Sequence, residues 1–400
     1  MSMPHAFAIF FCTTIAVFNT ARAEVEGTPP ALATHSKQPQ AEAAIRKGVA
    51  FLLSTQQDNG AWSKNEFPAL TAFPLWALAR SGADTVETPI AKATAFVTSC
   101  VSDGGMFKGA IYVPVREAKG GGLINYNTAV CMAALHATGD AQFQQIILDA
   151  RTFLSRSQYD GKQVHNGGMG YDPPTGRAYA DLSNSYIAYE AMHLTRDIED
   201  QRKGERVSLD WEAAIAFVQR CHNDPNFNDQ SWASSEKSEQ GGFAYRPDEF
   251  RKNSGATTNA AGLVTFRTMP GMTYAGLLSY IYAGIERDDA RVKATINWIA
   301  NNWQLERGNR NPEMQGKPEE LEGLYYMYNV ITKGLSAYGQ DELPLADGTK
   351  LNWREAMLGK LLALQAEDGS WSNSNGRYWE SDKNLVTAYM LLALETCLGR

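Results

Sequence analysis

Two kinds of apolar segment alternate along this chain. In the first kind the apolar residues keep to one side of a helix: Ile45, Val49, Leu52 and Leu53 recur at i, i+4, i+7 and i+8, while Glu42, Arg46 and Lys47 take the other side. In the second kind, Ala69 to Ala79 (ALTAFPLWALA) is apolar almost all round and carries no charge, which implies a helix covered on every side. The one-sided segment at 41–55 is followed by this all-round one. The same succession returns as 90–101 with 126–138, 143–158 with 181–194, 209–221 with 272–285, 290–303 with 323–337, and 353–365 with 384–398. Such hairpins cannot bury an apolar face singly and must stack. The all-round helices need neighbours on both sides, so closure into a ring is predicted. The expected fold is all-α: an α/α barrel of six inner and six outer helices spanning residues 42–400.

The turns between the paired helices repeat as well. Lys47 to Trp62 (KGVAFLLSTQQDNGAW) places Gln56, Gly60 and Trp62 after Phe51 and Leu52, and Leu361 to Trp371 (LLALQAEDGSW) returns Leu, Gln365, Gly369 and Trp371 at the same spacings. The third repeat keeps Gln158 before Gly167, and the second is read with Val101 in place of Gln, Gly105 and Phe107. The fourth has His222 where Gln would stand, and the fifth loses both the Gln and the clean Gly turn. Glycine suits a backbone position with φ > 0, the Gln amide can reach turn backbone or a neighbouring repeat, and the indole can cover the packing. These residues are therefore read as structural.

The N-terminus differs. Residues 6–18 are an apolar run too short to span a bilayer, and Ala21-Arg22-Ala23 fits a leader cleavage site, although only His5 supplies charge before the run. This predicts export with residues 1–23 as a signal peptide, then a Pro-containing linker at 24–41. A net charge of -7 with 44% hydrophobic and 20% charged residues suits a globular chain and gives no basic footprint for nucleic acid. After the expected cut, Cys100, Cys131, Cys221 and Cys397 remain without a CxxC pair and read as free buried thiols.

The spacing aromatic-Leu-x3-Gln-x3-Gly-x-Trp resembles the repeat of the squalene-hopene cyclase and protein prenyltransferase superfamily. The resemblance covers residues 42–398 and implies a single α6/α6 toroid. It also says where to look for chemistry. Cyclases of this kind carry Asp-x-Asp-Asp at the start of an inner helix; here Asp181-Leu182-Ser183-Asn184 keeps only the first acid. The plainer reading of Asp181 is a helix cap. Prenyltransferases of this kind hold zinc with Asp, Cys and His, whereas His136, His165, His193 and His222 are scattered and no Asp-x-Cys occurs. No metal or other cofactor is expected.

What remains is an aromatic interior. Tyr186 and Glu190 on the third inner helix, Tyr274 on the fourth, and Tyr325, Tyr328 and Asn329 on the fifth are candidate ligand-binding residues, together with Ser183, Asn184 and Glu322. An aromatic bore suits an isoprenoid chain. The expectation is an exported toroid without the acid or zinc chemistry, binding an apolar small molecule or peptide. The alternative is a terpenoid cyclase using Asp181 as its acid, with Glu190 or Glu322.

Overall fold

The computed structural model describes residues 36–114, 122–161, 163–174, 179–249, 254–258 and 262–400. The leader read at 1–23, and the linker up to residue 35, lie outside these. Six helices form an inner ring: α2 (Ala69–Ser81), α4 (Ile124–Ala137), α6 (Leu182–Leu194), α9 (Pro270–Tyr282), α11 (Leu324–Tyr338) and α13 (Lys383–Cys397). Each packs on the next, and α13 packs on α2, so the ring closes. Outside it lie α1 (Gln38–Thr55), α3 (Glu87–Ser99), α5 (Gln144–Ser157), α8 (Trp211–Cys221), α10 (Ala290–Asn302) and α12 (Trp353–Leu364), with a short α7 (Arg196–Asp200) between α6 and α8. Two small hairpins, β1 (Ala256–Thr258) with β2 (Val264–Phe266) and β3 (Glu342–Pro344) with β4 (Lys350–Asn352), are antiparallel insertions.

Burial follows the two patterns in the sequence. Every residue of α13 from Leu385 to Cys397 is buried, whereas α1 buries Ala41, Ala44, Ile45, Gly48, Val49 and Leu52 along one stripe. Helix α1 begins at Gln38, inside the stretch read as linker, with a proline in its first turn where a missing N–H costs nothing. Ser36 and Lys37 bond to Glu355 on α12 just before it. Cys100, Cys131, Cys221 and Cys397 are all buried and free.

Three of the repeated turns tie an outer helix to the next through a glutamine. Gln56 Nε2 donates to Gly60 O (3.0 Å) in its own turn and to Pro89 O (2.9 Å) in the first turn of α3. Gln158 Nε2 does the same to Gly167 O (2.8 Å) and to Asp210 O (3.0 Å), the residue that caps α8. Gln365 Nε2 reaches Gly369 O (3.0 Å) and Ala44 O (2.9 Å), which joins the last repeat to the first. The indoles of Trp62 and Trp371 donate back to Leu52 O and Leu361 O. The glycines touch the neighbouring helix directly. A Cβ on Gly60 (φ +86°) would lie 2.3 Å from Lys92 O, and one on Gly369 (φ +84°) 2.5 Å from Lys47 O.

In the second repeat the register differs from the sequence reading. Gly105 has open space around it; Gly109 is the glycine pressed against α5, where an added Cβ would lie 2.3 Å from Asp149 O, and Ile111 rather than Phe107 takes the Trp position. A 3-10 turn at Gly105–Phe107 lengthens the loop and moves the contact downstream. A shared hydrogen bond fixes the equivalence. The N–H of Trp62, Ile111, Met169, Phe243 and Trp371 each donates to a hydroxyl on the following inner helix, of Thr71, Thr128, Ser185, Thr273 and Thr387 respectively. In the fifth repeat Tyr328 OH instead donates to Leu305 O (2.6 Å).

Candidate functional site

All six inner helices send residues of their N-terminal turns to one cavity of about 620 Å³. Leu70, Tyr126, Ser183, Met272, Tyr326 and Leu385 represent α2, α4, α6, α9, α11 and α13 in its wall. Residues from six parallel helix ends meet there because the ring brings every inner N-terminus to the same side. Most of the wall is aromatic or aliphatic, and its volume falls within the usual range for small-molecule sites.

The floor is a layer of phenols. Tyr326 and Tyr389 line the cavity and also a chamber of about 10 Å³ beneath it, roughly the space of one water. Tyr389 stands edge-on to Phe73 with ring centroids 4.8 Å apart, and its hydroxyl faces that of Tyr126. Ser183 Oγ lies 3.4 Å from Tyr326 OH. Burial pushes the Tyr126, Tyr326 and Tyr389 phenols up, which keeps them neutral hydrogen-bonding groups.

Deeper in the bore is a closed polar layer. Lys333 Nζ pairs with Glu190 at 3.0 Å and sits 4.4 Å above the Trp76 ring. Tyr186 OH and Tyr282 OH donate to the two Glu190 oxygens at 3.1 and 3.2 Å. Burial draws the Lys333 ammonium down, and Glu190 opposes that shift. Each charge in this layer is partnered, as burial demands. Asn329 lines the same chamber, and its Oδ1 is buried without a hydrogen-bond partner among the described residues.

The rim is polar and strained. Arg310 lies over the Trp298 ring and donates to Thr268 Oγ1 (3.1 Å) and Asn302 Oδ1 (2.6 Å). Arg377 Nε is 3.9 Å from Glu322. Leu123, Tyr378 and Trp379, all in the wall, have φ of 53°, 58° and 66°, in a region that costs a residue with a side chain roughly 1–2 kcal/mol. Three of the four non-glycine residues with positive φ, among those described, therefore border the cavity. Next to them Glu380 is wholly buried. It accepts from Tyr326 N (2.7 Å) and Asn373 Nδ2 (2.6 Å), so a carboxyl from a distant loop caps α11, whose own N-cap position is Gly323. Burial pushes Glu380 up to about 7.

The sequence candidates separate into three groups. Ser183 and Glu322 line the cavity, and Tyr186, Glu190 and Asn329 line the chamber below it. Asp181, Asn184, Tyr274, Tyr325 and Tyr328 line neither. Asp181 is fully buried as the cap of α6, accepting from Asn184 N (2.9 Å) and Asn184 Nδ2 (2.7 Å). Tyr328 is turned toward the loop at Leu305, and Tyr325 stands edge-on to it. Sequence reasoning passed over Tyr126, Arg310, Arg377, Tyr378 and Trp379. Tyr126 is the third residue of α4 as Tyr326 is of α11, a shared first-turn position that marks both as facing the cavity.

No family model matches the chain, and no curated protein matches its sequence. Solved structures do resemble it. The GH76A α-1,6-mannanase from Salegentibacter superposes with a TM-score of 0.54 at 12% identity, over 90% of this chain and 100% of its own. An inactive variant of that mannanase in complex with α-1,6-mannotriose gives 0.52 at 12% over 90% and 100%. A variant of the type II terpene cyclase MstE from Scytonema, in complex with geranylgeranyl dihydroxybenzoate, gives 0.50 at 13% over 91% and 98%. The chain is an α/α toroid. At these identities the likeness is one of fold, and two different chemistries share it. Among the described residues of this toroid, no helix is long and apolar enough to cross a membrane.

Proposed function

We propose that this toroid binds an isoprenoid-like apolar molecule with a polar end, the chain lying on the tyrosine floor and the polar end at the Arg310, Glu322 and Arg377 rim. The carrying observation is the mainly apolar cavity of about 620 Å³, closed below by phenols held neutral by burial and bordered above by partnered charges. The rim's guanidiniums stand near carboxylates, since Glu322 lies by Arg377 and Glu239 accepts from the same Thr268 hydroxyl that Arg310 bonds. A polar but uncharged end such as a hydroxyl suits that balance. Catalysis is not part of the proposal, because Asp181 spends its carboxylate on the α6 cap. The leader at residues 1–23 supports placing this binding function outside the cytoplasm.

The test is solvent extraction of the purified full chain followed by mass spectrometry, together with thermal melts in the presence of farnesol. Binding to the folded state raises the melting temperature by linkage. A co-purifying apolar molecule, or a farnesol-dependent rise that Leu385→Arg abolishes, is the expected result. A melting temperature indifferent to farnesol, with nothing extracted, defeats the proposal. A rise with mannotriose in place of farnesol would defeat it in favour of a glycan site.

A further inference from the structure

Asparagine followed by glycine occurs three times in the chain, at Asn59-Gly60, Asn166-Gly167 and Asn375-Gly376. The pair carries a latent reaction. The glycine nitrogen can attack the asparagine Cγ because no Cβ shields it, provided that its N–H is free and its peptide plane can turn. The first two glycines fail both conditions. Gly60 N donates to Gln57 O (2.9 Å) and Gly167 N to Tyr159 O (2.8 Å). Both are buried and pressed on backbone: an added Cβ would lie 2.3 Å from Lys92 O at Gly60 and 1.9 Å from Ala213 O at Gly167. Gly376 is the opposite. It is exposed, its N–H has no hydrogen-bond partner among the described residues, and the nearest atom to an added Cβ is the Ser381 hydroxyl oxygen, at 3.1 Å.

We propose that Asn375 is a site of spontaneous deamidation, and that its conversion unties two loops that form one side of the cavity rim. Base takes the Gly376 amide proton, the nitrogen bonds to Asn375 Cγ, and the Cγ–Nδ2 bond breaks to release ammonia. Water then opens the cyclic imide at either carbonyl, leaving aspartate or, with the main chain rerouted through the side chain, isoaspartate. The balance is amide plus water to carboxylate plus ammonium, with no change of oxidation state. The side chain is already folded back for this, since Asn375 Oδ1 accepts from Arg377 N (2.9 Å) and so holds Cγ beside the Gly376 peptide. What is lost is a tie. Asn375 Nδ2 donates to Pro318 O (2.6 Å), and a carboxylate has no N–H to give that carbonyl. Pro318 begins the 3-10 turn leading to Glu322, and Asn375 precedes Arg377, Tyr378 and Trp379; these last three and Glu322 all line the cavity. Isoaspartate also lengthens the main chain just ahead of Tyr378 and Trp379, whose left-handed backbone persists only while the loop is held. A second tie, Asn373 Nδ2 to Leu321 O (2.7 Å), remains, so the rim loosens without unfolding.

The experiment ages the purified full chain in warm, mildly alkaline buffer and follows each pair by peptide mass spectrometry and isoaspartyl methyltransferase labelling. Conversion at Asn375 with Asn59 and Asn166 intact, and at all three once the chain is denatured, is the expected result. Gly376→Ala, at a φ of -79° that alanine accepts, should slow conversion about tenfold, or about 1.4 kcal/mol on the barrier. Conversion at Asn59 or Asn166 as fast as at Asn375 in the folded protein overturns the site, as does an Asn375 that stays intact. The untying is read separately on Asn375→Asp, which should melt below the parent and exchange amide hydrogens faster at 319–322 and 377–380. A variant that matches the parent in both overturns that part. No ligand enters these measurements, so their failure is distinct from failure of the farnesol test.

Discussion

The junction of the sixth repeat with the first and the loop of the fifth repeat do opposite jobs. At the junction Gln365, Gly369 and Trp371 reproduce, bond for bond, what Gln56, Gly60 and Trp62 do at the start of the chain. The loop from Trp303 to Gly323 has no Trp at the corresponding place and its Gln304 amide bonds within its own turn, to Arg307 O, yet it supplies Gly308, Asn309, Arg310, Asn311, Glu322 and Gly323 to the cavity wall. Where the chain obeys its repeat it builds the frame and the inner-helix part of the wall, and where it abandons the repeat it adds polar loop residues such as Arg310 and Glu322 to that wall. A brace must satisfy the same geometry at each seam where it recurs, as it does at Gln56, Gln158 and Gln365, but a ligand is met from one side only.

The comparison can be broken most decisively at Trp371. Its indole is 1% exposed and bonded to Leu361 O, so Trp371→Ala should cost about 3–5 kcal/mol in denaturant unfolding. Trp379→Ala, at the rim, should weaken ligand binding and cost less stability. Equal losses from the two would erase the division between frame and wall.

Next in size is the pH response of Glu380, which lies behind the wall residues Tyr378 and Trp379 and caps α11. Its folded value, about 7, lies above the ordinary 4.5. The folded chain thus holds a proton that the unfolded chain releases. Stability from this group is fully present below pH 4.5 and is lost as pH rises through 7, by on the order of 3 kcal/mol. Glu380→Gln should flatten that slope in unfolding curves taken between pH 4.5 and 8. A slope that persists would assign it to another buried carboxyl such as Glu395, pushed up to about 8 by burial.

Smaller effects sharpen the same contrast. Gly369→Ala puts a side chain at φ +84° and 2.5 Å from a carbonyl of α1 and should cost about 2 kcal/mol or more. Gly348→Ala, at the same φ of +84° with nothing near it, should cost about 1 kcal/mol; parity between the two would mean the contact with α1 contributes nothing. Smallest is Asp181→Ala, which removes a cap worth about 1 kcal/mol and should leave farnesol binding as it was. Loss of binding with the fold intact would return Asp181 to the site.

These contrasts explain what the sequence could and could not disclose. Gln56, Gly60, Trp62 and their late copies are legible because local backbone geometry dictates residue type and spacing. Gly109 is displaced from its expected place by an inserted turn, and the Thr and Ser hydroxyls on the inner helices go unnoticed because such residues are common inside helices. Tyr326 is legible as a bore residue, since its helix is apolar nearly all round. Arg310, Trp379 and Glu380 lie on aperiodic loops, and their roles come from partners as distant as Thr268, Phe67 and Tyr326. No local pattern records such pairings.

The bond from Gln365 to Ala44 has a topological meaning as well. Because it repeats what Gln56 makes with Pro89 and Gln158 with Asp210, the seam where the described chain begins and ends is held as the interior seams are. In mechanical terms the toroid is a hoop with no first stave. The order of the chain around it is a matter of connectivity, so a circular permutant with its ends moved to the exposed turn at Asp347 and Gly348 would enclose the same cavity.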